Sequence, residues 1–148
     1  MDFKPLIDKS YVWLVFISEI LLFSSLVLIL SSAITIVTIS LSILIFYLGL
    51  YLIFISMHTK YTVSENYILA SQPFLTRKIF YKDIVFITNK YTMINTPSNL
   101  KMAMSNQALT IKYKLNNKIR WLTISPIDQQ KFIDEVKKYY PTIHIEKR

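Results

Sequence analysis

The amino-acid sequence predicts a membrane α-hairpin followed by a small α+β domain, an antiparallel sheet or barrel with one C-terminal helix. Three observations carry this expectation. From Tyr11 to Ser56 the only charged residue is Glu19, and nearly everything else is Leu, Ile, Val, Phe, Ser or Thr. From Lys60 onward, short β-branched and aromatic runs alternate with polar breaks, the pattern of small antiparallel strands. Towards the C-terminus, Ser125-Pro126 precedes an apolar stripe at Phe132, Val136 and Tyr140, the spacing of an amphipathic helix.

As one helix the apolar stretch would be about 69 Å long, more than twice the roughly 30 Å of hydrocarbon that a span must cross. It is therefore expected to fold back, with spans at about 11–30 and 34–56 and a short turn near Ser31. Residues 1–58 then form a lead-in and hairpin, and 59–148 one small domain with a modest core. The net charge is +8, and its positive surplus lies in the second part. Lys4 and Lys9 are balanced by Asp2 and Asp8, whereas positive charge follows the second span. Positive charge beside a span favours the cytoplasmic side, so both ends and the domain are expected inside and the Ser31 turn outside. With no cysteine, disulfides and thiolate metal sites are excluded. A secretory signal is not expected, since the basic start, the shorter apolar run and the small-residue cleavage site are missing.

Met1 to Ser10 reads as a polar lead-in, and Tyr11 and Trp13 mark the membrane boundary, where amphipathic rings are favoured. Glu19 lies about 9 Å further along the helix axis. A charge at such depth costs about 2.5–3.5 kcal/mol on insertion scales. Glu19 is thus the candidate intramembrane functional residue, with a tolerated, snorkelling acid as the alternative. Thr35, Thr38, Ser42 and Gly49 share one stripe of the second helix, and Ser18, Ser25 and Ser32 recur every seventh residue, so small residues should form the hairpin's seam.

Strands are expected at Tyr61–Ser64, Tyr67–Ser71, Arg77–Tyr81, Val85–Lys90, Ala108–Lys114 and Lys118–Ser125, with a weak one near Lys101–Met104. The polar run from Asn95 to Gln107 reads as a mobile loop. A two-residue Asn116-Asn117 turn would pair Lys114 with Ile119 and mix charge with apolar side chains on one face. A three-residue loop, Leu115 to Asn117, instead pairs Lys112 with Arg120 and Lys114 with Lys118 on one face, and sets Trp121 with Ile111 on the core face. That register is the one expected. Ser125 is expected to cap the C-terminal helix with Pro126 in its first turn, and Pro141 to end it. The tail from Thr142 either adds a short edge strand or stays loose.

A lone glycine, Gly49, lies inside the apolar stretch, so Gly-rich phosphate loops, dinucleotide fingerprints and nucleophile elbows are excluded in their usual forms. His58 and His144 lack the spaced partners of a metal site. Asp128, Asp134 and Glu135 suit a solvated helix face better than an acid-base pair. No catalytic residue, metal or cofactor is expected, and the protein is not expected to be an enzyme. The positive signal is the basic group Lys112, Lys114, Lys118 and Arg120, a candidate membrane-facing patch for anionic lipid, with a merely solvated sheet face as the alternative. The lipid bilayer is thus the expected partner; nucleic acid is not, for want of any recognised binding motif.

Tyr61-Thr-Val-Ser-Glu-Asn-Tyr-Ile-Leu69, Arg77 to Tyr81 with Lys82-Asp-Ile84, and Ile124-Ser-Pro-Ile-Asp128 with Phe132-Ile133 resemble the bacterial pleckstrin-homology-like domains of small membrane proteins, over about Lys60 to Tyr140. The usual turn glycine after the second strand is replaced by Gln72-Pro73. The layout of an apolar hairpin and such a domain is similar to that of self-immunity proteins of Gram-positive bacteriocin producers, of the sublancin-immunity type. This resemblance implies a non-catalytic cell-membrane protein that shields the producer from its own antimicrobial peptide, with the bacteriocin or its membrane target as partner. The alternative is a tethered interaction module that binds anionic lipid or a membrane protein.

Overall fold

The computed structural model describes residues 1–30, 36–92 and 95–146. The chain divides into two compact units, Lys9–Met57 and, as the other, Met1–Asp8 with His58–Arg148. The first unit holds α1 (Lys9–Leu30) and all but the last residue of α2 (Ile36–His58). The Tyr11 hydroxyl donates to the Leu52 carbonyl at 2.7 Å, so the start of α1 meets the end of α2 and the helices run antiparallel. Along α2 the covered positions include Ser42, Ile45, Gly49, Leu52 and Ser56, spaced by three and four, and Gly49 is buried. Ser42 and Gly49 thus fall on the expected seam, while the side chains of Ser18, Ser25, Ser32, Thr35 and Thr38, and the turn at Ser31, lie outside the described residues. Two serine hydroxyls of these apolar helices are satisfied within their own helix: Ser24 donates to the Ile20 carbonyl at 2.9 Å and Ser40 to that of Ile36 at 2.8 Å. Among the described residues one helix, Ile39–His58, is long and apolar enough to cross a membrane.

The second unit is built from two sheets. The first runs β1 (Asp2–Phe3), β2 (Lys60–Val63), β3 (Tyr67–Gln72) and β4 (Leu75–Phe80), all antiparallel neighbours. A 3-10 turn, Tyr81–Asp83, leads to the second sheet. That sheet comprises β5 (Ile84–Thr88), β6 (Leu100–Lys101), β7 (Leu109–Leu115), β8 (Lys118–Ile124) and β9 (Ile145–Glu146), in the order β6-β8-β7-β5-β9. The tail therefore does supply an edge strand, parallel to β5. Alternate residues of both sheets, among them Tyr61, Ile68, Ile79, Ile111 and Leu122, point into one core. The core is closed by Phe132, Ile133 and Val136 of α3 (Gln129–Tyr139).

Five expectations are corrected. Met1 to Asp8 is not a lead-in to the helices but part of the domain: β1 pairs with β2, Phe3 is buried edge-on against Phe132 at 5.2 Å, and the Ile127 N–H donates to the Lys4 carbonyl at 3.1 Å. The β7–β8 hairpin turns in two residues, Asn116 and Asn117, at φ 50° and 60°, and pairs Lys114 with Ile119. Two left-handed residues make the turn whose twist matches the strands, and both side chains at this end are exposed, so mixing them on one face carries little penalty. The slip by one residue reverses β8, and Trp121 stands on the outer face rather than in the core. The stretch from Asn95 to Gln107 is packed rather than mobile: Met102 and Met104 are buried, and Thr96 joins the hydroxyls of Thr110 and Thr123 at 3.4 and 3.0 Å. Finally, Asp128 rather than Ser125 caps α3, accepting from the Lys131 N–H at 2.9 Å, while Ser125 accepts from the Met104 N–H at 2.9 Å.

Candidate functional site

The reversed register divides the basic group. Lys112 and Lys114 stand on the outer face of the second sheet, across from Trp121 and Ile119, whereas Arg120 lies across from Tyr113 and Lys118 across from Leu115, on the opposite face. The four therefore do not form one patch. What the structure assembles on the outer face is mixed in character. Phe86 and Tyr91 meet Trp121 edge-on at 5.7 and 6.0 Å, and the Lys112 ammonium sits 5.1 Å above the Trp121 ring and 5.2 Å above that of Phe86. Each such cation–ring contact contributes about 0.5–1 kcal/mol at an exposed site. The ring of His144 closes the row, 6.5 Å from Phe86. Phe86 and Tyr91 were not singled out from the sequence: Phe86 reaches this face by lying across from Lys112 after a register shift between Ile84 and Phe86, and Tyr91 lies beyond the end of β5, so no local pattern marks either.

A concavity of about 460 Å³ is bordered by Glu65, Phe80, Tyr81, Lys82 and Tyr140. Tyr81 and Tyr140 stack at 5.8 Å with an interplanar angle of 5°, and the Tyr81 hydroxyl donates to the Ser64 carbonyl at 2.6 Å. Burial first, then the neighbouring Tyr139 and Glu135, push the Tyr81 phenol up to about 12. Tyr81 is thus a neutral donor, unsuited to acid-base work near neutrality. Glu19 lies exposed on α1, and among the described residues no three His, Asp or Glu side chains are grouped to hold a metal.

Two facing sheets closed by a C-terminal helix define a pleckstrin-homology-type domain. The chain belongs to the Bacterial PH domain family, whose model matches residues 59–140, more than half its length. No curated protein and no solved structure matches it.

Proposed function

We propose that the protein is a non-catalytic, membrane-anchored interaction module, in which two antiparallel spans hold the PH domain at the cytoplasmic face. The observation that carries this reading is the place of residues 1–8. Because β1 is woven into the domain by pairing with β2 and by the Leu6 N–H donating to the Ser125 carbonyl, the chain leaves the domain at Asp8 and re-enters it at His58. An apolar excursion that starts and finishes in one folded domain has to cross the bilayer an even number of times, and the length of α1 and α2 suits two. The basic surplus of the domain supports the cytoplasmic side. Reporter fusions test it. A cytoplasmic reporter should be active at Lys4 and at Arg148 and an extracellular one near Ser32, and extracellular activity at Arg148 would sink the topology.

The narrower role, self-immunity against a bacteriocin, is supported by the layout of helical anchor and PH domain. It is tested by the killing concentration of candidate peptides against sensitive cells that carry the full chain, Glu19→Gln, or no insert. Equal killing in cells with the full chain and in cells without it retires immunity and leaves the interaction module standing.

A further inference from the structure

The first sheet ends, on the side away from β1, in β4, and the hydrogen-bond parity of this strand is set at both ends. The two-residue Pro73-Phe74 turn makes Gln72 and Leu75 a bonded pair. Beyond the other end, the Tyr81 N–H donates to the Asn66 carbonyl at 3.3 Å. Bonded pairs therefore fall at Gln72–Leu75, Ala70–Arg77 and Ile68–Ile79. Thr76 and Lys78 turn their N–H and C=O groups outward, and so does the Phe80 N–H, while the Phe80 carbonyl belongs to the 3-10 turn that it caps; among the described residues the outward groups have no backbone partner outside the helices and strands.

An open edge of this length is a template for one more strand, and its side chains say of what kind. Arg77 faces the core side of the sheet, on the same face as Ile79, and its Nε is buried without a hydrogen-bond partner among the described residues. A buried guanidinium N–H in that state calls for an acceptor, and a carboxylate is the one that matches its geometry and charge. Lys78, on the other face, adds positive charge, its ammonium 3.9 Å above the Tyr67 ring. A second copy of the chain is a poor occupant: pairing two β4 edges through Thr76, Lys78 and Phe80 sets Lys78 directly against its own counterpart.

We propose that the β4 edge takes an extended acidic segment of a partner protein as a fifth strand of the first sheet, bonded to the main chain of Thr76 and Lys78 and to the Phe80 N–H, with a carboxylate received by Arg77. The proposal rests on the tethered-module reading and names its site; its failure would leave the reporter-fusion result for that reading untouched.

The test uses the full chain in lipid nanodiscs with nine-residue peptides of alternating Thr and Glu, or alternating Thr and Lys. Residue-resolved amide exchange should slow at least tenfold at Thr76, Lys78 and Phe80 with the Glu peptide and stay unchanged with the Lys peptide. Arg77→Gln should weaken binding of the Glu peptide at least tenfold. Lys78→Pro, which removes an outward N–H but no bond to β3, should abolish it. Because that proline can disturb the strand, a Glu peptide N-methylated at alternate amides supplies the same loss from the other side. Absence of protection at the three amides, equal protection by the Lys peptide, or binding that survives N-methylation would overturn the proposal.

Discussion

β1 and β4 are the two outer strands of the first sheet, and they differ in length, in burial and in what lies beyond them. β1 is two residues long. It sends Phe3 into the core, and Thr62 donates to the Asp2 carboxylate at 2.6 Å. Its continuation is held by the bridge from Pro5 to Pro126 and by the Asn106 N–H on the Asp8 carboxylate. β4 is six residues long, keeps Thr76, Lys78 and Phe80 exposed, and carries two adjacent cations, Arg77 and Lys78. A short edge tied down by the following chain needs little protection against stray strands. A long open edge is protected by charge, which repels a like edge and still admits an acidic strand.

The largest expected effect separates the edges by burial. Phe132→Ala should cost about 3–5 kcal/mol, and Phe3→Ala, which removes its edge-on partner, a loss in the same range. Phe80→Ala at the open edge should cost less than about 1 kcal/mol. Urea unfolding of the full chain, followed by Trp121 fluorescence in a Trp13→Phe background, reads all three. Equal losses at Phe3 and Phe80 would erase the contrast.

A smaller effect concerns self-association. Replacing both cations, Arg77→Val with Lys78→Val, removes the guard, so light scattering should show oligomers that grow with concentration more steeply than for the native chain, with circular dichroism expected to stay native-like. A variant that behaves like the native chain would mean that the edge is covered by something other than charge.

The smallest effect sharpens the closed edge. Tyr61, across from Phe3, is buried, and its hydroxyl donates to the Met102 carbonyl at 2.6 Å. Burial pushes the phenol up to about 12, against an opposing pull from hydrogen bonding at Ser125. A folded value above the ordinary 10 means a stabilising contribution that is complete below pH 10 and lost as pH rises through about 12. Ultraviolet titration should show Tyr61 ionising late, and Phe3→Ala, by admitting water, should bring it down. If Tyr61 ionises near 10 in the native chain, the closed edge is not sealed.

The sequence by itself determined what local pattern determines. The apolar run broken by the single charge of Glu19 marked the helical unit, the β-branched runs marked most strands of the domain, and the stripe of Phe132 and Val136 marked the helix that closes the core, because each depends on the pattern of apolar side chains over neighbouring residues. Three features were decided only in three dimensions. Residues 1–8 carry too little pattern to read as a strand, and their place comes from contacts with residues more than 50 positions away, at Tyr61, Thr62, Met104 and Ser125. The Asn116-Asn117 turn followed backbone twist rather than side-chain sorting, because where both faces of a hairpin meet water the faces carry little energy and the turn sets the register. Arg77 was expected only as the start of a strand; its position on the core side of an open edge emerges once β3 and β4 are paired, since the partner decides which face of a strand meets the core.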